Sequence, residues 1–203
     1  KDVVIEGIIC RDSNVWTVIP AACQNVDILN IKLVGLWRYN SDGIDVVNSQ
    51  NVKIKDCFIR AFDDCICIKG LKSRNKYSTG DKEISNLKIS NCVIWNDWGF
   101  ALKIGPELVA PEVYNIIFKD CDIIRTTHSA MGIRHGDKVL VENVCFKNIY
   151  LNIDKHNKKP CLQEDKTETY CDNYKNEYCP SLFVLNIFKN RYSTDKERGK
   201  IRN

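Results

Sequence analysis

Asn51-Val52-Lys53-Ile54-Lys55-Asp56-Cys57 reads as a short strand ending in a sharp corner. Val52 and Ile54 alternate with lysines, so the apolar period is two, which is a strand period and not a helical one. Asp56 follows in the place where the chain must turn, and Asp and Asn tolerate left-handed backbone angles and can cap their own turn. The same phrase recurs on both sides. Asn25-Val26-Asp27-Ile28, Asn86-Leu87-Lys88-Ile89 and Asn115-Ile116-Ile117-Phe118 are clear copies, and Val139-Leu140-Val141 is a less regular one. The anchors Val26, Val52, Leu87, Ile116 and Val139 are separated by 26, 35, 29 and 23 residues. A polar turn residue follows each copy (Asn30, Asp56, Asn91, Asp120, Asn143), then Ile31, Cys57, Cys92, Cys121 and Val144.

Repeats of this length, each too small to bury its own apolar face, imply stacked rungs sharing one core. A second strand per rung is found at Ile44-Asp45-Val46, Ile66-Cys67-Ile68, Leu102-Lys103-Ile104 and Ile133-Arg134-His135. Their apolar members are expected to point inward, and Asp45, Cys67 and Lys103 outward in neighbouring positions. With no long helical pattern a βαβ arrangement is excluded. The expected architecture is all-β: one right-handed, single-stranded parallel β-helix domain over residues 1–203, of six to seven rungs. The irregularly long steps are loops leaving one corner, notably Leu71–Glu83. The pattern lapses into a charged, cysteine-containing loop at 154–181, and a strand is expected to resume at Leu182–Phe188. The first residues already read as a strand and neither end carries an amphipathic cap, which suggests part of a longer solenoid.

Of the 203 residues, 44% are hydrophobic and 28% charged, a folded rather than disordered composition. The net charge of +4 comes from loops such as Lys69–Lys82 and the tail Lys189–Arg202, without a basic motif, so nucleic acid is not an expected partner. No apolar stretch approaches a membrane span, and no signal-peptide pattern opens the sequence. The eleven cysteines divide in two. Cys57, Cys92 and Cys121 read as small hydrophobes in an interior column. Cys161, Cys171 and Cys179 lie in the charged loop, where a disulfide, or a metal site with one further ligand, is open.

The chemistry lies in Asn40-Ser41-Asp42-Gly43-Ile44-Asp45 and Phe62-Asp63-Asp64-Cys65. In the rung register Asp64 lies above Asp42 and Asp63 beside Ser41, about 4.8 Å away across parallel strands. Asp42, Asp45, Asp63 and Asp64 therefore converge on one patch. Crowding like charges raises at least one pKa, which a general acid needs, while an ionised neighbour activates water. Turn capping is the plainer alternative, and two aligned acidic motifs with a tandem Asp speak against it. Clustered carboxylates also serve calcium. That leaves open a polysaccharide lyase with Lys103 or Arg134 as base, and a non-catalytic glycan-binding module.

At these residues the sequence resembles the polygalacturonase-type family, glycoside hydrolase family 28. Asp12-Ser13-Asn14-Val15-Trp16-Thr17-Val18 resembles its Ser-Pro-x-Trp-Thr strand. Asn40-Ser41-Asp42-Gly43-Ile44-Asp45 is similar to its Asn-Thr-Asp-Gly-x-Asp, and Asp63-Asp64-Cys65 to its Gly-Asp-Asp-Cys/Ala. The resemblance runs from about Gly7 to Asn152. It implies inversion at a glycosidic bond, with Asp64 as general acid, Asp42 and Asp63 positioning and deprotonating the water, Asp45 in support, and no metal or other cofactor required. It further implies a polysaccharide or oligosaccharide partner and a secreted or periplasmic location. The oligomeric state is left open.

Two places depart from the family pattern. Phe100 stands in the place of its histidine, with Trp98 two residues earlier. Of its Arg-x-Lys pair for the uronate carboxylate, Arg134 is retained and Gly136 replaces the lysine. The substrate expectation is therefore open between a uronic acid polymer and a neutral glycan, and the layout is also similar to the dextranase-type family 49. The residues expected to bind substrate are Lys103, Arg134, His135, Trp98, Phe100, Glu107 and Asn40. Trp37 and Trp95 are large for surface positions, Trp16 is expected in the core, and His128 shares a rung with Arg134.

Overall fold

A computed structural model describes residues 1–72, 82–153 and 180–202. The chain winds through three columns of parallel strands. The first column stacks β1 (Val3–Glu6), β3 (Gln24–Leu29), β6 (Gln50–Lys55), β9 (Ile84–Ser90), β12 (Glu112–Arg125), β14 (Leu140–Leu151) and β16 (Lys200–Arg202). The second stacks β2 (Ile9–Arg11), β4 (Lys32–Leu36), β7 (Phe58–Ala61) and β10 (Val93–Asn96), and meets the far half of β12. The third stacks β5 (Ile44–Val47), β8 (Ile66–Gly70), β11 (Phe100–Leu108), β13 (Ser129–His135) and β15 (Ser181–Ile187). Single bridges from Val18 to Ile44 and from Ala21 to Val47 add a vestigial rung below β5. The right-handed parallel β-helix is thus present, with seven strands along its longest column. Among the described residues there is no helix.

The core is the interior of this coil. Val26, Val52, Leu87 and Ile116 stand level in the first column, and Ile44, Ile66 and Leu102 in the third. All are essentially fully buried. Cys57, Cys92 and Cys121 are buried in line as expected, each thiol donating to the carbonyl two residues earlier.

The corners are set by asparagine and aspartate. Among the described residues, fourteen of the fifteen non-glycine residues with positive φ are Asn or Asp. Ten of them form pairs five residues apart: Asn25 and Asn30, Asn51 and Asp56, Asn86 and Asn91, Asn115 and Asp120, Asn143 and Asn148. The first members form an amide ladder along the axis. Asn25 Nδ2 donates to Asp2 Oδ1 at 2.8 Å, Asn51 to Asn25 at 2.9 Å, Asn86 to Asn51 and Asn115 to Asn86 at 3.1 Å, and Asn143 to Asn115.

This pairing corrects two expectations. Asn143 belongs to the ladder, not to the second corner, which in that rung is Asn148. The fifth copy of the repeat is therefore Asn143-Val144-Cys145-Phe146, with Val144 level with Ile116 and Ile149 level with Cys121. In the third column Met131 is level with Leu102 and Gly132 with Lys103, so Arg134 sits two residues further along than expected.

Lys69 is not in a loop. It is 4% exposed near the end of β8. The strand expected at Leu182–Phe188 starts at Ser181 and ends at Ile187. The expectations for the loop from residue 154 to 179, its three cysteines included, lie outside the described residues.

Candidate active site

The site forms where the second column hands over to the third. Residues 62–65 join β7 to β8, and residues 41–43 lead into β5. The amide of Gly43 donates to the Asp64 carbonyl at 2.8 Å and that of Ile44 to Cys65 at 2.9 Å, which fixes Asp42 one rung below Asp64. A side chain at Gly43 would place its Cβ 2.4 Å from the Cys65 carbonyl oxygen and 2.6 Å from Ile59. The Asp-Gly step therefore lets two rungs close tightly enough to bring their carboxylates together. The next rung contributes in the same way. The Phe100 amide donates to Asp64 Oδ1 at 2.9 Å. At Gly99 a Cβ would lie 2.6 Å from both the Asp63 backbone carbon and its Oδ1, so the Asp63 carboxyl occupies the space a side chain would fill.

Two buried lysines divide the carboxylates between them. Lys103 Nζ lies 2.7 Å from Asp64 Oδ2. Lys69 Nζ lies 3.0 Å from Asp42 Oδ2 and 3.1 Å from Asp45 Oδ1, with the Trp16 ring centroid 3.8 Å away. Asp63 has no lysine at ion-pair distance among the described residues, and it is the least buried of the four. The electrostatics follow. At Asp64 burial disfavours the anion, but Lys103 and Lys69 outweigh it and hold the carboxyl below its ordinary range. Asp63 is pushed well upward by desolvation and by its anionic neighbours Asp42 and Asp64. Asp42 is raised by burial, against the pull of Lys69, to about 6. Asp45 is raised well above the carboxylate range by burial: among the described residues nothing donates a hydrogen bond to either oxygen, and the Lys69 ion contact does not compensate. Both lysines are raised, because the attraction of the surrounding anions outweighs the burial that opposes it.

An open cleft lies over this floor. Asp42, Asp63 and Asp64 line it, together with Lys103, Trp98, Phe100, Glu107, Asn40 and Arg134 of the expected binding residues. Trp98 stacks on Phe62 at 5.6 Å between ring centroids. Phe100, only 3% exposed and packed between Lys103 and His128, is wall rather than platform. Arg134 places its guanidinium 4.8 Å from the Phe188 ring. Asp45 lies under the floor and does not reach the cleft. His135 is corrected more strongly. It is fully buried, its Nδ1 is 3.3 Å from the Asp137 carbonyl, and its ring faces Gly199 rather than the cleft. Position 136 is equally closed, since a Cβ there would meet Ser193 Oγ at 2.2 Å and the Phe188 carbonyl at 2.4 Å.

Several cleft residues escaped the sequence reading. Trp16 is half-buried at the cleft instead of in the core, and Lys69 joins it there. Asn190, Arg191 and Tyr192 form a wall from what reads in sequence as a basic tail. That wall is pinned from behind, because Asp137 Oδ1 accepts from the amides of Thr194 and Asp195 at 2.6 and 3.0 Å. Trp37 and Trp95 are not in the cleft. They sandwich the Arg60 guanidinium at 4.3 and 4.4 Å, and Asp97 accepts from Arg60 Nε at 3.0 Å. Among the described residues no group of His, Cys, Asp and Glu is arranged to hold a metal ion.

Comparison with known proteins gives a consistent picture. The profile of glycosyl hydrolases family 28 matches residues 1–176. An exopolygalacturonase of Arabidopsis thaliana is 28% identical over 176 residues, covering 73% of this chain and 42% of the relative. An endo-polygalacturonase of Pectobacterium carotovorum subsp. carotovorum is 32% identical over 120 residues, covering 54% of this chain and 26% of the relative. The chain thus spans less than half the length of these relatives. In fold it is similar to a hyperthermoactive exopolygalacturonase from Thermotoga maritima, with a TM-score of 0.52 at 20% identity over 70% of this chain and 41% of the other.

Proposed function

Because this chain belongs to glycosyl hydrolases family 28, we propose that it hydrolyses an O-glycosidic bond in a galacturonide-containing polysaccharide or oligosaccharide, with inversion, using Asp63 as general acid and Asp42 with Asp64 as the base side. The observation that carries this reading is the unequal division of charge. Two carboxylates facing the cleft each have a lysine and a third has none. A proton shared among the three resides on the one without a cation, which is Asp63, and the anions reside on Asp42 and Asp64. This reverses the role the family resemblance suggested for Asp64, because Lys103 and the Phe100 amide both favour its ionised form.

The proposed reaction runs in one displacement. Asp63 gives its proton to the leaving-group oxygen as the bond to the anomeric carbon breaks. A water held between Asp42 and Asp64 attacks the opposite face, and its proton passes to one of these carboxylates. Oδ1 of Asp42 is buried without a hydrogen-bond donor among the described residues, so it is the oxygen with acceptor capacity left for a water admitted to the site. Trp98 offers a face for a sugar ring, and Arg134 supplies positive charge for an acidic glycan. The same reading makes the protein secreted or periplasmic, where such polymers occur.

The test is reducing-sugar release from polygalacturonate, rhamnogalacturonan and neutral glucans, with a chelator present, for the wild type and for Asp63→Asn and Asp64→Asn. Release that either substitution lowers by about 10²–10⁴-fold supports acid–base catalysis by these residues. Release that persists in both variants refutes the assignment. A product with an unsaturated, ultraviolet-absorbing end would replace hydrolysis with elimination.

A further inference from the structure

We infer that Lys69 is a positioning residue for Asp42, held between it and Asp45 so that one carboxylate oxygen of Asp42 is fixed and the other is left without a donor. The inference rests on the reading of Asp42 as part of the base side.

The geometry is that of a bridge. Lys69 stands level with Val47 and Cys67 with Asp45, so Lys69 reaches back along the outer face of β8 toward the rung below. Its ammonium meets Asp42 Oδ2 at 3.0 Å and Asp45 Oδ1 at 3.1 Å, and the Trp16 ring covers it. With its side chain 5% exposed, Lys69 holds its charge by these contacts and not by solvent. Asp42 is thereby held by Oδ2, and Oδ1 has no donor among the described residues. Asp45 does not line the cleft, so its connection to the chemistry runs through the ammonium.

The other charged or titratable groups facing Asp42 are Asp63 and Asp64 from the turn before β8 and Lys103 from β11. Cys67 lies between the lysines, its buried thiol donating to the Gly105 carbonyl at 3.0 Å. Lys103 is committed to Asp64, and the Asp64 anion opposes that of Asp42. Lys69 is therefore the cation on which the Asp42 anion depends. Asp45 touches the same ammonium, but burial keeps its proton on where Asp42 titrates, so it does not draw the charge away from Asp42. Loss of the Lys69 charge must then raise the proton affinity of Asp42, while a change of shape that keeps the charge must not.

The experiment is a pH titration of the aspartate carboxyl carbons by NMR, on protein labelled at aspartate Cγ, for wild type, Lys69→Met, Lys69→Arg and Asp45→Asn. Asp42→Asn identifies the resonance. Asp42 is expected to titrate higher in Lys69→Met by about 1–3 pH units, the usual effect of an opposite charge at this distance. It is expected to titrate near the wild-type value in Lys69→Arg, which keeps the charge, and in Asp45→Asn, which removes none. In active protein the acidic limb of kcat moves the same way in each variant while KM is kept. An Asp42 titration unmoved in folded Lys69→Met, or moved in Lys69→Arg as far as in Lys69→Met, overturns the inference. If Lys69→Met does not fold, Lys69→Gln is titrated in its place with the same expectation. Titrations that shift as stated in a protein that releases no sugar would uphold the bridge and refute the catalytic reading beneath it.

Discussion

Replacing Asp42 by asparagine should remove a pH-dependent weakness from the fold. Burial lifts this carboxyl from 3.8 to about 6, a rise of about two units. Each unit corresponds to about 1.4 kcal/mol, so the shift amounts to about 3 kcal/mol. The side chain is 2% exposed, and little of this is lost to solvent screening. The sign follows from proton counting. Between the two values the folded protein binds the proton more tightly than the unfolded chain, so stability is fully present below the unfolded value and falls as pH rises through about 6. Asp64 has the opposite sign, since its lowered value makes stability fall only in more acid solution.

Urea unfolding at about pH 4 and about pH 7.5 should therefore show the wild type losing about 2–2.5 kcal/mol more than Asp42→Asn between the two conditions, the rest appearing below pH 4. Any constant effect of the amide on Lys69 cancels in that comparison. Equal losses in the two proteins would refute the claim that the ionised site strains the fold.

Other consequences are as direct. The pH–rate profile should be bell-shaped, rising as Asp42 ionises at about 6 and falling as Asp63 loses its proton; a profile without the lower limb would remove Asp42 from the base role. Gly99→Ala puts a methyl 2.6 Å from the Asp63 backbone and 2.7 Å from the Asp64 amide nitrogen. It should cost about 1–3 kcal/mol in urea unfolding, and about 10²-fold in rate through a displaced acid. Asn86→Ala breaks two ladder bonds of 3.1 Å and puts alanine at φ +57, with an expected loss of about 2–3 kcal/mol, of which Asn86→Gly should recover about 1. If glycine recovers nothing, the backbone share is wrong.

The rungs were readable because their signals are local. Alternation marks each strand, and an Asn or Asp with positive φ marks each of the paired corners. The misreading at Asn143 came from following one corner residue per rung, although the five-residue pair Asn143 and Asn148 is as visible as Asn25 and Asn30. The acidic cluster was legible for a related reason. Parallel register converts the 22-residue spacing of Asp42 and Asp64 into adjacency. Lys69 carried a usable signal, lying two residues past Cys67 on the same face of its strand, and a count of charge made it look like loop.

Arg134 and His135 were misplaced by two residues because Met131-Gly132-Ile133 fits the apolar alternation in either register, and only the packing of Phe100 over Gly132, 2.8 Å from where a Cβ would stand, decides between them. The wall of Asn190, Arg191 and Tyr192 was beyond reach. Its position depends on Asp137, more than fifty residues earlier, accepting bonds from Thr194 and Asp195.

In a coil of this kind the backbone hydrogen bonds run along the axis, so the rungs are links in series, each held only by its two neighbours. Opening therefore travels inward from the ends, and a rung's protection grows with its distance from them. The site is spread over links contributed by Trp16, Asp42, Asp64 and Phe100, and it exists only while those links are closed together. The Asp64 rung has closed neighbours on both sides through β5 and β11, which places it among the last to open. Amide exchange should then be slow at Cys65 and Ile66, whose rung is closed on both sides. A chain that is frayed at either end would keep its chemistry intact until the opening reached the rungs of Asp42 or Phe100.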